Sequence, residues 1–158
     1  MSKSSYSYSF LKGIVICHGK SEKLICEFLR SNLRIQIEID SDKKGKKSIQ
    51  ITSIMKFLSG EKYKNIASFK NKFDDIEQIK DKKKLPSYFK IFIIMDTDDC
   101  NENQKKSFKD KSMFKEHWLY DYIVPIYNDS NLEEVLVDAG IKFQKSGNER
   151  KKERILRI

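Results

Sequence analysis

The sequence predicts an α/β fold, a mostly parallel sheet flanked by helices. Three observations carry this. Two short apolar runs, Gly13-Ile-Val-Ile-Cys17 and Phe89-Lys-Ile-Phe-Ile-Ile-Met95, have the length and β-branched content of buried strands. Segments of helical periodicity separate the strand-like runs, and strands alternating with helices imply βαβ units with right-handed crossovers. Both runs also end in polar chemistry, His18-Gly-Lys-Ser-Glu22 and Asp96-Thr-Asp-Asp99. In parallel sheets ligands bind outside the carboxyl ends of the strands.

The elements follow in order. Residues 1–9 read as a loose arm. After the strand at 13–17, His18-Gly-Lys-Ser21 is a tight turn, Ser21 a candidate N-cap, and Glu22 a first-turn carboxylate that the helix dipole favours. Leu24, Ile25, Phe28 and Leu29 recur at helical spacing, predicting an amphipathic helix from Glu22 to Asn32. Ile35, Ile37 and Ile39 alternate with polar residues, as in a half-buried strand near a sheet edge. Asp40 to Lys47 is a charged loop. Ile49, Ile51, Ile54, Met55 and Leu58 predict a helix ending at Gly60. Residues 61–85 are weakly patterned, with a stripe of Ile66, Phe69, Phe73 and Ile76. Pro86 breaks the chain before the strand at 89–95, whose near-continuous apolar character predicts burial on both faces. Residues 101–112 read as a polar connection, Phe114 to Tyr122 as a helix, and Ile123 to Tyr127 as a last strand interrupted by Pro125. Asn131 caps a short helix, Leu132 to Ala139, closed by Gly140. The chain divides into an α/β domain over 1–140 and a basic C-terminal segment over 141–158.

Composition bounds the function. The chain has 158 residues, one domain by length, with 39% apolar and 35% charged residues. This excludes an acidic disordered chain, a collagen-like repeat and a disulfide mini-protein. No apolar run approaches the roughly 18 residues of a membrane span, and the N-terminus lacks the apolar core of a secretory signal. The three cysteines, Cys17, Cys26 and Cys100, have no paired spacing, so the expectation is reduced thiols and a cytoplasmic protein. A zinc site from Cys17, His18 and Cys26 lacks any supporting spacing. The net charge is +9, and the basic residues cluster. Lys43, Lys44, Lys46 and Lys47 form one block; Lys80, Lys82, Lys83 and Lys84 a second; Lys142, Lys145, Arg150, Lys151, Lys152, Arg154 and Arg157 a third. Such blocks fit contact with the phosphates of DNA or RNA, although a solvated lysine-rich surface gives the same composition. Few aromatic residues interleave with them, so stacking on single strands is not signalled.

Chemistry concentrates at the two strand ends. In extended chain, residues two apart point the same way at roughly 7 Å, so Asp96 and Asp98 would face together. Carboxylates this close repel unless a cation or proton compensates, and Mg²⁺ or Mn²⁺ suits them. The bland alternative is a solvated acidic turn. At the other end, a helix N-terminus with Gly19, Lys20 and Ser21 suits a phosphate, or is an ordinary capped turn. A nucleotide-binding P-loop must also be tested here. Its pattern has four residues between the glycines, whereas five separate Gly13 from Gly19, and those five belong to a strand. His117, beside Trp118 on an apolar stretch, reads as core or surface rather than ligand.

Ile14-Val-Ile-Cys-His-Gly-Lys-Ser-Glu-Lys-Leu-Ile25 resembles the first motif of Toprim domains, notably those of OLD-type nucleases and phage-defence proteins. Phe92-Ile-Ile-Met-Asp-Thr-Asp-Asp99 resembles their second motif, an apolar strand ending in Asp-x-Asp. The resemblance covers residues 12–127. It implies Mg²⁺-dependent phosphodiester chemistry on nucleic acid, with Asp96 and Asp98 on the metal, Asp99 assisting, and a nuclease as the expected activity. It places the family's glutamate on His18. A histidine can serve as base or neutral ligand but adds no negative charge to a hard-cation site, so three outcomes stay open. His18 acts differently, Glu22 reaches in, or the domain is a non-catalytic nucleic-acid or protein-binding module. A protein partner or a second copy of this chain is the other partner class, and no membrane is expected.

Overall fold

The computed structural model describes residues 9–128. The predicted helix at 132–139, the segment 141–158 with Lys151 and Lys152, and the domain boundary at 140 lie outside the described residues, as does nearly all of the N-terminal arm. Four parallel strands, β1 (Gly13–Cys17), β2 (Ile37–Asp40), β3 (Lys90–Asp96) and β4 (Ile123–Asn128), form one sheet in the order β2-β1-β3-β4. The α/β expectation holds at that level. β2 is the edge strand its alternation predicts. β4 runs unbroken through Pro125, which pairs in register with Ile93. An edge strand tolerates the missing N–H because one side of it has no ladder to feed.

Four helices are described: α1 (Lys20–Leu33), α2 (Ile54–Leu58), α3 (Ile66–Lys72) and α4 (Glu102–Lys109). Strand pleating sorts the core into two layers. Ile14, Ile16, Ile91, Ile93, Met95 and Ile123 face the larger cluster, with Phe69 of α3, Phe108 of α4 and Leu58 of α2. Val15, Cys17, Ile37, Ile39, Phe92 and Ile94 face Cys26 of α1 on the other side. Helices therefore lie on both faces, as right-handed crossovers require. The expected two-faced burial of β3 is corrected. Its residues alternate half-buried and buried along Lys90–Asp96, since among the described residues α1 is the helix packed on the half-buried Phe92 and Ile94 face.

Gly13 explains how β1 approaches β3. A Cβ there would lie 2.5 Å from the Lys90 carbonyl oxygen. This glycine belongs to strand packing, not to a phosphate loop, which removes the P-loop pattern at its first position. The larger core is aromatic. Phe69 meets Phe73 at 4.9 Å, Trp118 at 5.4 Å and Phe89 at 6.0 Å between ring centroids.

Several boundaries differ from expectation. The Ile49 to Leu58 pattern is helical only from Ile51 onward, as a 3₁₀ turn (Ile51–Ser53) leading into α2, because Ile49 is held extended by bonds to His18. The polar connection at 101–112 contains α4, opened by an Asn101–Gln104 capping box. Residues 114–122 form 3₁₀ turns rather than an α-helix. There Trp118 Nε1 donates to the Tyr63 carbonyl at 2.8 Å and His117 Nε2 to that of Leu58 at 3.1 Å. Those tertiary bonds pull the chain away from the i to i+4 pattern.

Candidate functional site at the carboxyl edge of the sheet

β1 sits between β2 and β3. The chain leaves it toward β2 through α1, and leaves β3 toward β4 through α4. The gap between the carboxyl ends of β1 and β3 is therefore the topological switch point, where open α/β sheets bind ligands. The register Cys17↔Ile94 and the bond from His18 N to the Ile94 carbonyl (2.9 Å) bring His18 and Asp96 to this same edge.

His18 is anchored twice to one residue. Its carbonyl accepts from Ile49 N at 2.7 Å, and its Nδ1 lies 2.7 Å from the Ile49 carbonyl. A carbonyl only accepts, so Nδ1 carries the proton and, in the neutral ring, Nε2 keeps the lone pair. A base or metal ligand needs that tautomer. Pleating nevertheless divides the site. His18 follows Cys17 onto the face of Ile49 and Met95, while Asp96 continues the Phe92 and Ile94 face beneath α1.

Glu22 lies on that second face. Helix α1 opens at Gly19, which caps it from extended backbone without a side-chain bond. Ser21 thus sits inside the first turn and is not the predicted cap. Glu22 folds back over Gly19, its Oε2 3.4 Å from where a Cβ would stand. Glu22 therefore lies on the Asp96 face of the sheet and His18 on the other.

The helix N-terminus is crowded. Gly45, at φ +82°, would place a Cβ 3.1 Å from Lys20 Cα, so the 42–47 loop lies against the opening turn of α1. Lys43 and Lys44 also have left-handed φ, 46° and 57°. A left-handed conformation costs roughly 1–2 kcal/mol at each non-glycine position. The loop presents exposed Lys43, Lys44, Lys46 and Lys47 at the carboxyl end of β2, on the site's edge of the sheet.

The chain does not stay extended past β3. Asp98 N donates to Asp96 Oδ1 at 3.2 Å, an Asx turn that carries Asp98 and Asp99 outward to exposed positions while Thr97 is buried. Among the described residues, no three His, Cys, Asp or Glu side chains converge on a point that could hold a metal ion. The donors still suit a hard cation. Asp96 and Asp98 supply carboxylate oxygens at an open edge, and Mg²⁺ accepts one or two carboxylates with water and phosphate completing its shell. A closed protein cage is not formed.

The remaining candidates resolve structurally. Cys17 and Cys26 meet under α1 on the face opposite His18, so the Cys17, His18 and Cys26 set does not assemble. A hydrogen bond between the two thiols, with burial, pushes Cys17 up, and the same bond holds Cys26 down. His117 is a half-buried histidine bonded to Leu58 and Leu119. Asp40, at the end of β2, stands outside the two strand ends that the sequence singles out. It accepts from Tyr63 Oη at 2.6 Å and pairs with Lys62. Burial and this carboxylate raise the Tyr63 pKa well above its ordinary value. Asp40-Ser-Asp42 was a third polar strand end, visible by the same rule as the other two. No helix among the described residues is long and apolar enough to cross a membrane. No family model, curated protein or solved structure matches the chain.

Proposed function

We propose that this protein performs Mg²⁺- or Mn²⁺-dependent phosphodiester chemistry on nucleic acid, as a nuclease. One observation supports the reading: the strand ends that carry His18 and Asp96 flank the switch point of a parallel sheet, beside a lysine-rich loop on the same edge. The Toprim resemblance supplies the reaction class and the defence or mobile-element setting. Asp96 and Asp98 would hold the cation, with Asp99 near enough in sequence to assist. When bound, the cation offsets charge building on the phosphate and lowers the pKa of water. The chain's own residues do the rest. Lys43, Lys44, Lys46 and Lys47 draw in the phosphate backbone. Glu22 adds negative charge on the Asp96 face. His18 Nε2, with Nδ1–H held by Ile49, can accept a proton from the attacking group.

A second reading keeps the scaffold as a binding module without catalysis. It is favoured by the absence, among the described residues, of three converging ligand groups. A nuclease assay on single- and double-stranded DNA and RNA, with and without Mg²⁺ or Mn²⁺, decides between them. The expected outcome is cleavage dependent on the metal and lost in Asp96→Ala/Asp98→Ala. Tight, salt-sensitive binding with no cleavage under any metal would establish the second reading.

A further inference from the structure

A cleft of about 750 Å³ lies beyond the β2 side of the sheet, between α2, α3 and the 42–47 loop. Its volume falls in the range of small-ligand sites. Helical spacing builds its walls. Ser53, Lys56, Phe57 and Gly60 follow at i, i+3, i+4 and i+7 along α2 and its flanks. Ser68, Asn71 and Lys72 follow at i, i+3 and i+4 on α3. Buried Ile49 forms part of the floor, and Ile49 is also the residue that holds His18.

The charges sort into used and unused. Lys47 pairs with Asp42 at 3.9 Å, Lys64 with Glu61 at 2.8 Å, and Lys62 with Asp40 while lying over the Phe57 ring at 5.6 Å. Lys56 and Lys72 have no ion-pair partner among the described residues, and they stand on opposite walls. Both are exposed, and with Asp42 and Glu61 already paired to Lys47 and Lys64 they are the cleft's two lysines open to an anion. The half-buried Phe57 ring and Ile49 offer an apolar wall, while Ser53, Ser68 and Asn71 offer hydroxyl and amide groups. Phosphate alone would leave the Phe57 and Ile49 wall unused.

We propose that this cleft binds a nucleoside phosphate, with the phosphate between Lys56 and Lys72 and the base against Phe57. The ligand is a free nucleotide or the terminal nucleotide of a strand; the chemistry is the same. Apolar contact of a base with the Phe57 side chain and pairing of its phosphate to ammonium groups hold a nucleotide without reading the base. The inference goes beyond the cleavage reading, because binding here needs neither a metal nor Asp96.

Isothermal titration of the full chain without divalent metal tests it, using AMP, inorganic phosphate, and pentathymidylate with and without a 5′-phosphate. AMP should bind at least about tenfold more tightly than inorganic phosphate. Lys56→Gln/Lys72→Gln should weaken AMP about tenfold or more, and Phe57→Leu severalfold. Lys106→Gln/Lys115→Gln, an equal charge loss at exposed positions outside the cleft and the basic blocks, should change it less than twofold. Competition between AMP and the 5′-phosphorylated pentamer, with the unphosphorylated pentamer weaker, assigns the strand end; AMP binding alone assigns the free nucleotide. Equal binding of phosphate and AMP, equal losses in the two lysine pairs, or no binding of AMP or pentamer overturns the proposal. Cleavage surviving without AMP binding sinks this inference alone, and AMP binding without cleavage sinks the nuclease reading alone.

Discussion

His18 and His117 are the two histidines of the chain, and their partners separate their roles. His18 spends one ring nitrogen on the Ile49 carbonyl and leaves the other outside that bond. His117 spends both: Nε2 donates to Leu58, and Nδ1 accepts from Leu119 N at 3.2 Å. Charging His117 puts a proton where it accepts a bond. Burial accordingly holds its pKa below the ordinary 6.5. The folded value is depressed, so the unfolded chain takes up the proton first. Stability is therefore whole above about pH 6.5 and falls as the pH drops toward the folded value. Thermal unfolding between pH 7 and 5 should show this decline in wild type, with a shallower slope in His117→Gln. Parallel slopes would mean that carboxylates alone set the acid sensitivity. For His18 the expected cost is about 1–3 kcal/mol in His18→Ala, since the Ile49 carbonyl of a residue 2% exposed loses its side-chain partner. A urea midpoint equal to wild type would show that water replaces the imidazole. The identity of His18 was legible in the sequence. Its partner was not, because Ile49 lies 31 residues away and nothing local announces such a contact.

At the scale of elements, what could be read was what is written in local pattern. β1 and β3 were legible because continuous apolar runs leave few alternatives, and β2 because Ile37 and Ile39 alternate with polar neighbours. The capping box at Asn101 and Gln104 was equally local, but the polar composition of 101–112 hid it behind a single buried contact, Phe108. The 114–122 segment was illegible for a different reason: its shape is set by Leu58 and Tyr63, far away in sequence. The Asp96 to Asp99 cluster was visible as composition but misread as geometry, because the Asx turn at Asp96 ends the extended path that would have aligned Asp98 with it. Gly13 tests how tightly the elements under the site are matched. In Gly13→Ala the new methyl meets backbone, not a side chain that could swing away. Overpacking of this kind costs typically 1–3 kcal/mol. The denaturant midpoint of Gly13→Ala should drop accordingly, and the β1–β3 amides should exchange faster with solvent. A loss under about 0.5 kcal/mol would mean that the strands separate at little cost.

Among the described residues, polar chemistry gathers on one edge of a sheet whose two layers are otherwise apolar. That edge joins acid at the end of β3 to base after β2, so attraction of a polyanion and attraction of a cation act side by side. The 42–47 loop is the place to test the polyanion. Lys43 and Lys44 have left-handed φ, a conformation in which lysine gains nothing and asparagine is better tolerated. Lys43→Asn/Lys44→Asn thus removes two charges while suiting the backbone, which keeps loss of fold out of the result. If both ammonium groups contact phosphates, each accounts for about 0.7 of the log K against log salt slope on a single strand. The double variant should therefore bind a single-stranded oligonucleotide with a slope shallower by roughly 1.4, and with an unchanged or slightly raised unfolding midpoint. Fluorescence anisotropy between about 50 and 200 mM salt, the range where such contacts dominate, reads that slope directly. The same slope in variant and wild type would place the strand elsewhere on the surface and leave this loop as a strained cover over the first turn of α1.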